Sequence, residues 1–160
     1  MLVRDVMTPD PVTISAHQSI GTALARMRRG NFRRLPVLDQ GKLVGIITDR
    51  DLRLAMNSPY VLREGWYDSY LMEHIEVRTC MTPNPVTIAP DCDLIVAVEL
   101  MRTQKFGGLP VIQNGNLAGI LTETDLMDCL IKLLEKEATA ASPGNGGSME
   151  SVHKRRTGAN

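Results

Sequence analysis

Apolar positions along this chain follow two periods in turn, and the same order of periods occurs twice. Val12 and Ile14 belong to a short β-prone run opened by Pro11, and Ser15 and Ser19 then offer hydroxyls that can cap a helix. Ile20, Ala23, Leu24 and Met27 recur at helical spacing, which predicts a helix with one apolar face, stopping near Gly30. Leu35-Pro36-Val37-Leu38 reads as a strand, Asp39-Gln40-Gly41-Lys42 as a tight turn and Leu43 to Thr48 as a second strand. Together they predict a hairpin, because a polar residue followed by glycine suits a two-residue turn with positive φ. A helix entered from Thr48 follows, over Asp49–Met56. In the second half Leu94, Ala97, Val98 and Met101 mark the helix, which ends near Lys105. Asn114-Gly115 makes the turn, and a longer helix is predicted over residues 123–137. Each unit is therefore strand, helix, strand, strand, helix, a mixed α/β (α+β) pattern.

The recurrence extends to the letters. Residues 3–14, VRDVMTPDPVTI, return as residues 77–88, VRTCMTPNPVTI, at an offset of 74 positions. At that same offset RRLPVLDQGKLVGIITDRDL, residues 33–52, returns as GGLPVIQNGNLAGILTETDL, residues 107–126. Two copies of a unit too small to close its own core are expected to pack face to face and share a buried interface. The organisation that follows is a first unit over residues 1–56, a connecting segment over 57–76, a second unit over 77–137 and a tail over 138–160. Tyr60, Trp66, Tyr67 and Tyr70 concentrate the aromatic surface in the connecting segment and are expected to extend its core. The tail is rich in Ala, Ser, Gly and Asn and carries His153-Lys154-Arg155-Arg156, so it is expected to be flexible and its basic run solvated.

Composition narrows the function classes. Hydrophobic residues at 43% and charged residues at 22% of 160 positions are the balance of a chain that folds around a core. Eighteen basic and 18 acidic side chains cancel, so no global field favours nucleic acid or an anionic membrane. The absence of a basic leader or an apolar run of spanning length leads to the expectation of a cytoplasmic location. Cys80, Cys92 and Cys129 are irregularly spaced and read as structural thiols. His17, His74 and His153 fall at a helix start, in the connecting segment and in the tail, and suggest surface or packing roles. No metal-ligand spacing, nucleophile elbow or Walker loop is present, and no enzyme activity is expected.

One chemical pattern recurs: a strand ending in a hydroxyl, with a carboxylate three positions on. Thr48 is followed by Asp51, and Thr122 by Asp125. Two readings compete. A carboxylate can accept hydrogen bonds from the neighbouring hydroxyls of a ribose, while the exposed helix N–H groups suit a phosphate. Alternatively the pair is a capping box that satisfies backbone donors and stabilises each helix by about 0.5–2 kcal/mol. Spacing alone favours the cap.

The joined pattern of MTPxPVTI, then LPV, then GxLxGIxTxxDL resembles the CBS domain family, in two copies over residues 3–56 and 77–130. The resemblance implies pseudo-twofold packing of the repeats through their sheets and two clefts between them. It also implies regulation by AMP, ADP, ATP or S-adenosylmethionine, with no required cofactor and no catalysis. Carried over residue by residue, it implies ribose binding by Asp51 and Asp125, with hydroxyls from Thr48 and Thr122. Thr8 with Thr13, and Thr82 with Thr87, match segments lining the adenine pocket. The positions that approach phosphate fall on Arg33 and Arg34 in one copy but on Gly107 and Gly108 in the other. Arginine makes charge-assisted contacts to phosphate, whereas a glycine pair leaves only N–H groups and room. One expected cleft therefore combines Arg34, Thr48 and Asp51 with residues 82–87 and takes phosphate. The other combines Gly108, Thr122 and Asp125 with residues 8–13 and suits adenosine-like ligands or stays empty. Such a module would signal to a partner protein, and family resemblance suggests homodimers. A ligand-free dimerisation scaffold is the alternative, using the apolar stripe Leu126, Leu130, Ile131 and Leu134.

Overall fold

A computed structural model describes residues 1–56 and 65–141 of the chain. The first repeat contributes β1 (Thr8–Pro9), β2 (Ile14–Ser15), α1 (Ile20–Gly30), β3 (Arg34–Asp39), β4 (Lys42–Thr48) and α2 (Asp49–Met56). After α3 (Gly65–His74) the second contributes β5 (Thr82–Pro83), α4 (Leu94–Gln104), β6 (Gly108–Gln113), β7 (Asn116–Thr122) and α5 (Glu123–Ala141).

Local chemistry accounts for most of these boundaries. α1 starts where the Ser19 hydroxyl accepts the Thr22 amide at 3.2 Å, and it stops because Asn31 turns left-handed at φ 51°. α4 stops in the same way at Lys105, φ 57°. Both hairpins turn through two positive φ values, 46° and 78° at Gln40 and Gly41, 52° and 76° at Asn114 and Gly115. That sequence of angles matches the twist of the flanking strands. α5 runs on to Ala141, beyond the expected end at 137, because alanine is the strongest helix former and the Thr139 hydroxyl donates to the Glu135 carbonyl at 2.6 Å. Residues 138–141, expected in the tail, are thus helical, and 142–160 lie outside the described residues.

The connecting segment departs from expectation. α3 was not foreseen, since its apolar residues show little helical periodicity, yet it packs on α1 with Met72 and Ile75 against the core. Gly21 admits this approach, for a Cβ there would stand 2.8 Å from the Met72 carbonyl oxygen. Tyr70 does not join the core: it is half exposed and stacks on His74, with ring centroids 3.9 Å apart. Tyr60 and the side chains of Trp66 and Tyr67 lie outside the described residues.

The sequence repeats and the spatial lobes are not the same sets of residues. One sheet has the order β2-β3-β4-β5 and the other β1-β7-β6, so each repeat's leading MTP segment adds an edge strand to its neighbour. Thr8 lies opposite Ile120 and Pro9 opposite Gly119; Thr82 lies opposite Ile46 and Pro83 opposite Gly45. The turn before each strand goes further. Val3 is fully buried among Ile88, Ala97, Leu109, Val111 and Leu121 of the second repeat, while Val77 is fully buried among Ile14, Ile20, Leu35, Val37 and Ile47 of the first. Backbone hydrogen bonds hold both plugs: Val3 N–H donates to the Cys92 carbonyl at 2.9 Å and Val77 N–H to the Gln18 carbonyl at 2.8 Å.

Equivalent residues meet where the repeats touch, as a twofold axis requires. Lys42 Nζ donates to Asn116 Oδ1 at 3.4 Å, and these positions correspond at the repeat offset. Close approach of the exchanged strands depends on glycine. A Cβ at Gly119 would lie 2.9 Å from the Thr8 carbonyl oxygen, a backbone atom that cannot retreat without pulling β1 off the sheet. Gly119→Val is expected to lower stability by about 1–3 kcal/mol, read as an earlier midpoint in urea. An unchanged midpoint would contradict this packing.

Candidate functional site

The two hydroxyl-to-carboxylate pairs sit where β4 runs into α2 and where β7 runs into α5, and both do form helix caps. Asp51 Oδ2 accepts the Thr48 amide at 2.8 Å and the Thr48 hydroxyl at 2.7 Å, and the Asp51 amide donates back to Thr48 Oγ1 at 3.3 Å. Asp125 Oδ2 accepts the Thr122 amide at 2.7 Å and hydroxyl at 2.6 Å, with the same return bond of 3.3 Å. Capping occupies one oxygen of each carboxylate and leaves the other. Asp51 Oδ1 takes no hydrogen bond among the described residues. Asp125 Oδ1 accepts the Thr8 hydroxyl at 2.9 Å, a bond between repeats, and keeps a second lone pair. The capping and ligand-binding readings are therefore compatible, because they use different oxygens.

The exchanged strands decide which threonines approach these carboxylates. Thr8 reaches Asp125 directly, and Thr82 stands opposite Ile46, two positions from Thr48. Thr87 is elsewhere. It lines a groove of about 350 Å³ with Lys42, Leu43, Asn84, Pro85 and Ile112, at the start of β4, whereas Thr48 and Asp51 are at its far end. A seven-residue strand separates those ends by roughly 20 Å. Thr13 offers its carbonyl to the Arg26 guanidinium. The expected continuity of residues 82–87 as one cleft wall is broken by Asn84, whose left-handed φ of 48° turns the chain.

Arg34 stands opposite Thr48 in the β3–β4 pairing, within the repeat in which the sequence grouped them, but its side chain was not expected to leave that repeat. Its side chain crosses to the second repeat and lies on the backbone of Gly107 and Gly108: a Cβ at Gly107 would be 2.3 Å from Nη2, and one at Gly108 2.9 Å from Nη1. The glycine pair is what makes room for it. Burial lowers the Arg34 pKa below the ordinary arginine value and Arg33 adds to this, while Glu123, Asp49 and Asp125 oppose it. The group remains a cation in every case. It makes no ion pair or side-chain hydrogen bond among the described residues. Arg33 is exposed. Asp49 and Glu123, the first residues of α2 and α5, were not singled out in the sequence; their signal was position, as acids at helix starts beside the capping pair.

A cleft of about 260 Å³ opens beside Asp125, lined by Met1, Asp5, Asp128, Cys129 and Lys132 among others. His17 lies 3.5 Å from Asp39 and 3.6 Å from Glu76 at the surface, and His74 Nδ1 is 2.8 Å from the Tyr70 carbonyl. Among the described residues no group of His, Cys, Asp and Glu could hold a metal ion, and no helix is long and apolar enough to cross a membrane. Carboxylate acceptors, helix N-termini and an Arg34 guanidinium without an ion pair among the described residues suit a ligand with adjacent hydroxyls and an anionic end.

Comparison with known proteins gives a consistent result. The family model for the CBS domain matches this chain twice, over residues 3–58 and 76–132. A CBS domain-containing protein of Dictyostelium discoideum is 40% identical over 137 residues, which cover 84% of this chain and 94% of that protein. The crystal structure of CBSX2 of Arabidopsis thaliana in complex with AMP superposes with a TM-score of 0.69 at 29% identity, covering 82% of this chain and 97% of that one. The CBS domain pair of protein MJ0100, in complex with 5′-methylthioadenosine and S-adenosyl-L-methionine, superposes at 0.68 with 26% identity, covering 83% and 98%.

Proposed function

This chain belongs to the CBS domain family, with two copies packed as a pair, and on that footing we propose that it is a non-catalytic regulatory module that binds an adenine nucleotide or another adenosyl compound between its repeats. The observation that carries the reading is the duplicated Thr-x-x-Asp junction, in which capping consumes Oδ2 while Oδ1 keeps acceptor capacity for a ribose hydroxyl, wholly at Asp51 and through its second lone pair at Asp125. The AMP complex of CBSX2 and the methylthioadenosine and S-adenosylmethionine complexes of MJ0100 support the ligand class, whose shared part is the adenosyl group. AMP, ADP, ATP and S-adenosylmethionine are the candidates.

Ligand in a cleft built from both repeats changes the stability of one arrangement of the lobes relative to others, and an effector protein would read that change. Coupling of this kind is typically worth about 1–3 kcal/mol. Titration calorimetry of the intact protein against AMP, ATP and S-adenosylmethionine is the test: saturable heat with at least one is expected, and no binding of any at millimolar concentration removes the proposal.

The scaffold reading has its own observation. Of the expected stripe, Leu126 packs against the second core, whereas Leu130, Ile131 and Leu134 are about half exposed on α5 and Met127 joins them, a face at helical spacing that a second copy of the chain would cover. We assign it to a homodimer that operates alongside ligand binding. Light scattering with and without nucleotide separates the roles, since a pure scaffold would dimerise identically in both and bind nothing.

A further inference from the structure

We infer that the end of the first lobe where α1 meets α2 binds a single-stranded nucleic acid, its phosphates on Arg28, Arg29 and Arg50 and a base against Phe32. The inference is independent of the adenosyl reading above. Its basis is a separation of charge inside a neutral chain. Residues 1–56 carry nine basic and five acidic side chains, whereas residues 77–137 carry five basic and eight acidic. A polyanion is therefore drawn to one part of the molecule and repelled by the other. At the repeat offset Arg28, Arg29 and Arg50 correspond to Arg102, Thr103 and Thr124, so one cation stands in the second repeat where the first has three.

Backbone contacts gather these residues at one end. Arg28 and Arg29 lie in the last turn of α1, and the Arg28 carbonyl accepts the Asn31 amide at 3.4 Å, which turns the chain back. Two residues on, the Arg33 carbonyl accepts the Asp49 amide at 2.9 Å and fixes the start of α2, with Arg50 next in the chain. All three arginines are exposed, and none makes an ion pair or side-chain hydrogen bond among the described residues. Of the neighbouring acids, Asp49 is held by Arg53 at 2.9 Å and Asp51 is engaged in the Thr48 cap. Guanidinium groups suit phosphate because their planar donors bind two oxygens together and stay charged. Phe32 lies between the two helix ends, packed on the first core yet partly exposed. Gly30 leaves the ring its place, since a Cβ there would stand 1.7 Å from Phe32 Cε1. An acidic protein segment would use the cations alone. A single strand also offers unpaired bases that stack on an aromatic ring, and this favours nucleic acid.

The experiment is fluorescence anisotropy of the full chain with a labelled oligouridylate of about 12 nucleotides, which offers no adenine to the clefts. Binding with a Kd of roughly 1–100 µM at low salt is expected. Log affinity should fall against log salt with a slope of about −2, for three phosphates neutralised. Arg28→Gln combined with Arg29→Gln should weaken binding about 10-fold and bring the slope to about −1, with the circular dichroism spectrum unchanged. Arg155→Gln combined with Arg156→Gln, in the basic run near the C-terminus, should leave affinity as it is. Undiminished binding in the first variant, or its loss in the second, would overturn the inference. Polyglutamate competing as well as the oligonucleotide would also overturn it, in favour of an acidic protein partner, as would a duplex that binds as tightly as the single strand. No binding at all overturns it too, and none of these outcomes alters the calorimetry expected with AMP.

Discussion

Val77→Asp is expected to unfold the first lobe although the residue belongs to the second repeat. Val77 is fully buried among Ile14, Ile20, Leu35, Val37 and Ile47, and no basic residue is among the members of that cluster. A carboxylate there must be buried unpaired or must draw the plug out, and either costs about 4 kcal/mol or more. For a chain of this size the melting temperature should fall by roughly 10–15 °C, measured by circular dichroism. Val77→Ala removes packing without charge and should cost about 2 kcal/mol. Hydrogen exchange identifies the site of damage: faster exchange is expected first in β3 and β4, of the first repeat, before β6 and β7. The reverse order would mean that Val77 supports its own repeat and that the exchange of leading segments is wrong.

Asp125→Ala is the second change with a large expected effect, and it should exceed Asp51→Ala. Both remove a cap in which Oδ2 accepts an amide and a hydroxyl, a loss of about 1–2 kcal/mol. Asp125 also accepts the Thr8 hydroxyl at 2.9 Å, which ties β1 of the first repeat to the start of α5. A further loss of about 0.5–1.5 kcal/mol follows for that bond. Thr8→Val, which removes only the bond between repeats, should reproduce this difference in urea unfolding. In calorimetry Asp125→Ala is expected to weaken AMP at least 10-fold, since the ribose loses its acceptor. Equal stability of the two aspartate variants would deny the contact between Thr8 and Asp125. Undiminished AMP affinity would remove Asp125 from the ligand site.

Much of the architecture was legible because its causes are local. Gln40-Gly41 and Asn114-Gly115 demand a two-residue turn wherever they occur, and Ser19 caps α1 from one residue away. The caps at Thr48 and Thr122 were equally visible, for their partners lie three positions on. β1 and β5 were not visible, because two-residue strands carry no periodicity and are defined by their pairing with β7 and β4. α3 was missed for a related reason: its face is chosen by contact with α1, not by an apolar stripe of its own. At the candidate site the carboxylates could be named from spacing. The assignment of Arg34 could not, since it turns on the space above Gly107 and Gly108, 73 or more residues away in the chain.

What the sequence determined by itself is the duplicated unit, its hairpins and caps, and the residue types available at each junction, all set by neighbours within a few positions. The tertiary structure decided which repeat each leading segment completes, which threonine meets which aspartate and where the half-buried Arg34 rests. Those outcomes depend on apolar surface and charge brought together from distant parts of the chain. Burying Val3 and Val77 in opposite lobes satisfies two small cores at once, and no local preference encodes that exchange.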